Sequence, residues 1–274
     1  MGYAMGVKRK IFIIFIIFIA VITIRNIFSF WNNVLYANRL VVAIREDDIN
    51  KVKKMLSEHG RNINSKVIRS DSFAKFAESN NPTPLFEACS SGNFEIIKLL
   101  VEAGADVNFI EPTRKWTPIG AALSYRNVDR IKIANYLMDN GADVTDEIAS
   151  ILVGYRNGSK ETLKEQEEYD LFIRMINTGA NLSPELGAGD NLLRLAAKTD
   201  NLLIVKYLVE EKNMDVNINT YYGLTPLMEC YHIDIVKYLL EKGANKDAKN
   251  DIGETAYDRA VKFGKGEEII NILK

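Results

Sequence analysis

The stretch "PTPLFEACSSGNFEIIKLLVEAGADVN", from Pro82 to Asn108, decides the fold. It contains two short apolar segments, each preceded by residues that favour a helix start. Thr83 suits an N-cap, and Pro84 suits the first helical position, where its missing N–H costs nothing. Gly104 follows the second apolar segment, where a left-handed residue commonly ends a helix. The stretch therefore predicts two short helices joined by a turn and followed by an extended Asp-Val-Asn exit.

The same order of residues recurs along the chain. Similar stretches begin at Leu40, Trp116, Asp190, Leu224 and Gly253. A repeat of roughly 33 residues is typical of a solenoid. A single helix pair cannot bury both of its apolar sides, so neighbouring pairs must complete the core. The sequence therefore predicts an all-α fold of stacked helix pairs.

The repeated unit resembles the ankyrin repeat family. The resemblance rests on the Thr-Pro-Leu-x-x-Ala start at Thr83–Ala88 and the Gly-Ala-Asp-Val-Asn end at Gly104–Asn108. It implies an ankyrin-repeat solenoid over residues 36–274, with about seven units including capping units at both ends. The unit at 146–183 is divergent because it lacks the Thr-Pro-Leu start.

The resemblance also implies where a partner would bind. In ankyrin-like proteins, the hairpins that link the units, called fingers, form a concave surface with the exposed side of the first helices. Transferred position by position, this surface gives the following candidate partner-binding residues: Thr113, Arg114, Trp116, Tyr125, Tyr221, Tyr222 and Leu224. Tyr, Trp and Arg are common anchors of interfaces. The alternative interpretation is that such a Tyr or Trp packs against the adjacent finger.

Composition and charge favour a protein partner over nucleic acid. The chain has 274 residues, of which 47% are hydrophobic, with 35 Lys and Arg against 36 Asp and Glu. Four of the basic residues, Lys8, Arg9, Lys10 and Arg25, lie in the N-terminal segment, so the repeats are mildly acidic. Binding to a phosphate backbone needs a basic patch. We therefore expect no nucleic-acid partner.

The sequence shows no pattern typical of catalysis or metal binding. His59 and His232 are the two histidines, and neither has a Cys or His neighbour at the spacing of metal ligands. Cys89 and Cys230 lie in different repeats and are interpreted as small core residues. We expect no catalytic residue, no cofactor, no metal and no small-molecule substrate. An enzyme with an unrecognised mechanism is the alternative.

The N-terminus does not fit a repeat unit. Residues 1–10 form a basic tail, and an uncharged apolar run follows from Ile11 to Ile24. As a helix this run spans only about 21 Å, whereas the hydrocarbon core of a bilayer is about 30 Å thick. Extension to Trp31 gives about 31 Å. We therefore predict a transmembrane signal anchor at 11–31, ending in an aromatic belt.

The alternatives are a cleaved signal peptide, although no small-x-small cleavage site follows, and a buried helix of the repeat domain. The basic cluster predicts a cytoplasmic N-terminus, with the repeats in the periplasm or another extracytoplasmic space. The leading functional hypothesis is a membrane-anchored, non-enzymatic scaffold that binds a protein of unknown identity. The alternatives are an immunity protein that neutralises a toxin or effector, and an anchored adaptor that faces the cytoplasm.

Overall fold

The fold is known for most of the chain from a computed structural model. It describes residues 2–58, 62–66, 82–112, 115–124, 129–144, 165–180, 192–198, 201–220 and 222–274, with side chains from residue 17 onward except those of 124 and 165. Every element in these ranges is a helix. The chain divides into two compact units, Met1–Pro118 and Ile119–Lys274, which are described separately.

The first unit is a stack of two helix pairs. Its helices are α1 (Gly2–Arg45), α2 (Ile49–Leu56), α3 (Pro84–Ser91) and α4 (Phe94–Glu102). Helix α1 packs against α2 and α3, while α4 packs against α3 and α2. Like helices are therefore neighbours, as the repeat pattern predicts. In the core between them Leu85, Ala88, Ile96, Ile97 and Leu100 are fully buried.

The second unit has the same kind of arrangement, with more helix pairs. Its helices are α5 (Pro118–Ser124), α6 (Arg130–Asp139), α7 (Glu165–Asn177), α8 (Leu192–Lys198), α9 (Leu202–Lys206), α10 (Pro226–Glu229), α11 (Ile233–Glu241), α12 (Ala256–Lys262) and α13 (Glu267–Leu273). The first helices α8, α10 and α12 pack in one row, and α6, α7, α9, α11 and α13 pack in another. Helix α7 is the second helix of the divergent unit, and the predicted first helix of that unit lies outside the described residues.

Side-chain caps start the helices where the sequence places them. Thr83 Oγ1 accepts a hydrogen bond from the Phe86 amide at 3.3 Å, and Thr225 makes the equivalent bond at 3.4 Å. The second helix α4 is capped by Asn93, whose side chain accepts a hydrogen bond from the helix's third amide at 3.0 Å. These bonds satisfy amides that have no partner inside the helix. The predicted role of Thr83 is confirmed.

The Asp-Val-Asn exit connects successive units through its asparagine. Asn217 Nδ2 donates to the Gly243 carbonyl oxygen at 3.1 Å, and its Oδ1 accepts from the Asn245 amide at 2.7 Å. Asn64, at the exit of the first repeat, makes the same pair of bonds, to Gly104 at 3.2 Å and to the next exit at 2.8 Å. One side chain thus provides hydrogen-bond partners for a backbone carbonyl and a backbone amide that the turn leaves unpaired. The exit segment therefore sets the register between neighbouring units.

A one-residue insertion in the second unit is absorbed by a π-helical turn. Helix α9 continues as this turn over Tyr207–Glu211. The stretch "VEEKNMDVN" is one residue longer than "VEAGADVN", and a π-turn adds one residue without breaking the helix. Asn213, with φ 53°, takes the left-handed position that Gly104 occupies with φ 88°. Asparagine tolerates this conformation better than other non-glycine residues.

Helix α10 is shorter than the equivalent helix α3. The sequence indicates that residues are missing between the two helices of this unit. In the structure the loss falls within the first helix itself, because α10 has 4 residues and α3 has 8. Cys230, directly after α10, has extended backbone angles, with φ −68° and ψ 137°. The missing turn leaves room beside the Met228 carbonyl.

Helix α1 contains both the predicted anchor and the first helix of the repeat stack. It runs without interruption over 44 residues. The backbone therefore marks no break between residues 11–31 and the repeat domain predicted from residue 36. The stretch Ile17–Arg45 is long and apolar enough to cross a membrane, by length and composition alone.

Candidate protein-binding surface

Among the described residues, a pair of backbone hydrogen bonds closes each of three fingers. In one, the Thr220 amide donates to the Leu224 carbonyl at 3.1 Å and the Gly223 amide donates to Thr220 at 2.9 Å. The next finger repeats this geometry at Asn250, with distances of 3.0 and 2.9 Å. The polar side chains of Thr220 and Asn250 accept further amides inside their own turns. Thr220 and Asn250 therefore hold the described backbone of each turn through several hydrogen bonds.

The finger at Glu111 contains one residue more. Its closing bonds join the Glu111 amide to the Trp116 carbonyl at 2.8 Å and the Lys115 amide to the Glu111 carbonyl at 2.9 Å. Lys115 has φ 60°, the left-handed conformation that Gly223 adopts in the other finger. Lys115 thus takes the place of the finger glycine, as the alignment of the repeats predicts. A non-glycine residue there adopts a conformation disfavoured by its Cβ.

Two neighbouring finger tips present apolar side chains to solvent. Tyr222 is 69% exposed, and Ile252, its equivalent in the next finger, is 73% exposed. The Asp251 amide donates to the Tyr222 carbonyl at 3.1 Å, so the two tips are joined through their backbones. A Cβ added at Gly223 would lie 3.0 Å from the Asn250 Cα. The absence of a side chain at Gly223 therefore permits this close approach of the fingers.

The predicted binding residues differ in how they are placed. Tyr222 is exposed, whereas Trp116 and Leu224 are half-buried beside their finger stems. The following predicted residues lie outside the described residues: Thr113, Arg114, Tyr125 and Tyr221. Ile252 was missed, although the rule that selects Tyr222, the residue before a finger glycine, also selects Ile252.

A buried ionic row connects three successive first helices of the second unit. Arg194 Nη1 donates to Glu229 Oε2 at 3.0 Å, and the other Glu229 oxygen accepts from Arg259. All three side chains are mostly shielded from water. Arg259 also pairs with Glu254 at 3.3 Å, and Lys262 pairs with the same carboxylate. The row is a structural feature of the stack, because its charged groups already bind one another.

Lys265 fills the space that the shortened helix α10 leaves. Its Nζ donates to the Met228 carbonyl oxygen at 2.6 Å and lies 4.5 Å from the centre of the Tyr231 ring. Arg259 Nε donates to the same carbonyl at 3.3 Å. Burial lowers the pKa of Lys265 to about 8, against the opposing effect of Glu229. Tyr231 itself is exposed and was not among the residues predicted from the sequence.

The cysteines and histidines are the side chains considered for catalysis or metal binding, and those that the structure describes have surroundings typical of structural residues. Within the described residues, no group of three or more His, Cys, Asp or Glu side chains could hold a metal ion. Cys89 and Cys230 are fully buried, and burial raises the pKa of the Cys89 thiol. His232 stands just before α11, with Nδ1 3.8 Å from Asp234 Oδ2 and both side chains largely exposed. His59 lies outside the described residues.

The comparisons with known proteins agree with this architecture. The family model described as "Ankyrin repeats (3 copies)" matches residues 40–148 and 157–250. The crystal structure of the human ASB11 ankyrin repeat domain superposes with a TM-score of 0.60 at 20% sequence identity, covering 86% of this chain and 97% of that one. The expected fold class, an all-α ankyrin-repeat solenoid, is confirmed.

Proteins with similar sequences occur in widely different organisms. Alpha-latrocrustotoxin-Lt1a of Latrodectus tredecimguttatus is 27% identical over 192 residues, which is 65% of this chain and 13% of the toxin. The ankyrin repeat protein YahD of Escherichia coli (strain K12) is 25% identical over 202 residues, which is 71% of this chain and 96% of that protein. The chain thus spans a small part of the toxin and nearly the whole of YahD. On the match of the family model to most of its length, this chain belongs to the ankyrin repeat family.

Proposed function

We propose that this chain is a membrane-anchored, non-enzymatic interaction protein whose fingers bind a protein partner. Ankyrin repeats form a protein–protein interaction domain, and the partner contact is assigned to the finger tips around Tyr222 and Ile252. The observation that carries the assignment is the strong exposure of these two apolar side chains on neighbouring fingers. Exposed apolar groups clustered on a surface are typical of interaction sites.

The backbone around these tips supports tight binding. The fingers are closed by their own hydrogen bonds and joined through Asp251 and Tyr222. A contact surface that is already ordered loses less conformational entropy when a partner binds. Tyrosine adds a large apolar ring with a hydroxyl that can donate or accept a hydrogen bond. A partner with an apolar patch bordered by polar groups therefore suits this surface.

The anchor is assigned to residues 11–31 of α1. The support is the length and apolar character of this helix together with the basic residues Lys8, Arg9 and Lys10 before it. The excess of positive charge on this side favours a cytoplasmic N-terminus and places the repeats outside the cytoplasm. A reporter that is active only outside the cytoplasm, fused after Lys274, should be active in cells. An inactive reporter on a stable fusion would reverse the orientation.

Partner binding can be tested with the full chain in membranes. Tagged wild type, a Tyr222→Ser/Ile252→Ser variant and a Val261→Ser control are crosslinked in cells and purified side by side. Val261 is a suitable control because it is an exposed apolar residue on α12 rather than on a finger. Loss of the Tyr222 and Ile252 side chains should weaken the complex with the partner protein by about 2 kcal/mol or more, roughly a 30-fold loss of affinity.

The comparison between the variants decides the result. Proteins that are enriched with wild type and with Val261→Ser, and lost with the double variant, support the assignment. The same proteins recovered with all three chains would overturn it. Equal thermal stability of the three chains must accompany either result, because both tip residues lie outside the helical core.

A further inference from the structure

One face of α1 remains exposed along the length of the helix that has described side chains. Five apolar residues on this face have exposed fractions from 46% for Val42 to 69% for Phe28. These residues are Val21, Ile24, Phe28, Leu35 and Val42. From Ile17 to Phe30 the helix is exposed on every side, and beyond Asn33 the exposed apolar residues lie on this face alone. Exposed apolar residues that follow one another along a helix face are typical of an interaction site. We call these five residues, with Trp31 and Asn38 between them, the α1 stripe.

The spacing of the α1 stripe is that of a coiled coil. Val21, Phe28, Leu35 and Val42 are seven residues apart, and Ile24, Trp31 and Asn38 follow three residues after the first three of them. This alternation of three and four residues is the a/d pattern by which two parallel helices pack side by side. A strict seven-residue repeat keeps the stripe facing a partner helix along its length. The stripe therefore matches a second helix better than it matches a flat surface.

The α1 stripe lies on the side of the helix that points away from the repeats. Helices α2 and α3 cover the opposite side, where Val34, Ala37, Leu40, Val41 and Ile44 are buried. Two copies that meet through their stripes would therefore carry their own α2 and α3 on the outside of the pair. The contact needs no rearrangement of the first helix pairs.

An anchor over residues 11–31 leaves part of this stripe outside the lipid. Helix α1 has 44 residues and so extends over about 66 Å, about twice the 30 Å hydrocarbon thickness. If the anchor ends at Trp31, Leu35 lies about 6 Å and Val42 about 16 Å farther along the helix. These two residues would stand in the headgroup region or in water. A protein surface with the same helical spacing is needed to remove them from water.

We infer that α1 pairs in parallel with α1 of a second copy of this chain through the α1 stripe. The inference rests on the proposed membrane anchoring, which gives every copy the same orientation and confines the copies to one plane. Equivalent residues then face each other across a two-fold axis, as an isologous contact requires.

The membrane is required for this pairing. Stable dimers bury at least about 1,200 Å² in total, and the few stripe residues beyond the anchor offer far less. Confinement to a membrane raises the effective concentration of the second helix and allows a weak contact to form. The full chain in membranes should therefore be paired through the whole stripe rather than through its aqueous end alone.

Disulfide crosslinking in native membranes tests the seam directly. Single substitutions Leu35→Cys and Val42→Cys are placed on the stripe, and Asn32→Cys and Arg39→Cys flank it on the same helix. The native cysteines Cys89 and Cys230 are buried, so the unsubstituted chain gives the background. Mild oxidation should give at least about fivefold more covalent dimer at the stripe positions than at the flanking ones, because only a and d side chains meet across the seam.

A second variant tests whether the contact can be broken without unfolding the chain. Adding Leu35→Asp to Val42→Cys should reduce the crosslink to background, since two carboxylates would face each other, whereas Arg39→Asp should leave it unchanged. Equal crosslinking at all four positions, or none at any, would overturn the pairing. Membrane association is measured separately by alkaline extraction of the same samples. A chain found in the soluble fraction contradicts the anchoring, while an anchored chain without position-specific crosslinks contradicts only the pairing.

Discussion

Lys265 donates a hydrogen bond to the carbonyl oxygen of Met228 at 2.6 Å, across a sequence separation of 37 residues. Helix α10 stops early and leaves this carbonyl without the partner that a longer helix would give it. The lysine of the next unit supplies the donor, and Arg259 adds a second at 3.3 Å. A deletion in one repeat is thus compensated by a side chain from its neighbour. The buried ammonium group has a measurable consequence for stability.

Stability should rise with pH because of Lys265. Burial lowers its pKa in the folded chain to about 8 from an ordinary value of 10.5. Between these two values the unfolded chain holds a proton that the folded chain has released, so the free energy of unfolding increases as pH rises. Below the folded pKa both states are protonated, and the contribution is constant. The Lys265→Met variant should lack this dependence.

Urea unfolding of the full chain in detergent, at about pH 7.5 and pH 9.5, measures the effect. The difference in free energy between wild type and Lys265→Met should grow in favour of wild type at the higher pH. Subtracting the variant cancels the titration of other groups common to both chains. Lys249→Met, which alters an exposed lysine, should follow wild type. A constant difference between wild type and Lys265→Met would show that Lys265 titrates normally.

The local part of this fold could be predicted from the sequence, and the long-range part could not. The Thr83 cap and the left-handed Gly104 depend on residues within the same turn, and the structure confirms both. In the sequence, the loss of a turn in α10 was visible only because this repeat is shorter than the others. Its location depends on whether another unit can satisfy the exposed carbonyl. The spacing of residues within one repeat does not show whether another unit supplies such a donor.

The candidate surface shows the same division. Tyr222 was selected by its position before a finger glycine, and the structure shows that its side chain is exposed; its role in binding stays a prediction. Arg194 and Glu229 stand 35 residues apart at positions of different type in their own units. Their pairing depends on how neighbouring first helices pack, which no single repeat reveals. The continuity of α1 is a further long-range property. It depends on whether the helix continues from the apolar anchor segment into the amphipathic first helix of the repeats.

Removal of the central carboxylate should destabilise the second unit strongly. In Glu229→Gln, Arg194 and Arg259 would remain buried next to each other without their shared negative charge. Breaking such a buried pair typically costs about 3–5 kcal/mol. Urea unfolding of the full chain in detergent measures this loss.

Glu268→Gln is the matched control for that experiment. Glu268 pairs with Lys237 at 2.8 Å, but both side chains are at least half exposed. Exposed ion pairs contribute little to stability, so this variant should unfold like wild type. If the two variants are equally stable, the buried row does not depend on the charge of Glu229.

The exit asparagines should stabilise the contact between neighbouring units. Asn217→Ala removes two bonds to the next unit, at 3.1 and 2.7 Å, and should cost about 1–2 kcal/mol. Asn245→Ala is the control, because its side chain accepts only the local Asp247 amide among the bonds described. Hydrogen exchange of the Asn245 amide should accelerate in Asn217→Ala, since that amide loses its acceptor. Similar exchange in both variants would contradict a role for Asn217 between units.

The close approach of the last two fingers should make Gly223 less replaceable than Gly253. Both have positive φ, 67° and 83°, so alanine at either position is strained by about 1 kcal/mol. At Gly223 the new Cβ would also lie 3.0 Å from Asn250 Cα and 3.1 Å from the Asp251 amide nitrogen, whereas at Gly253 nothing lies within 4 Å. The contact at Gly223 is with backbone, which cannot rotate away. Gly223→Ala should therefore cost a further 1–2 kcal/mol or so by forcing the fingers apart.

The two alanine variants can be compared by urea unfolding and by exchange of the Asp251 amide, which donates to Tyr222. Faster exchange in Gly223→Ala alone supports the contact, and equal losses of stability in both variants would show that left-handed strain is the whole effect.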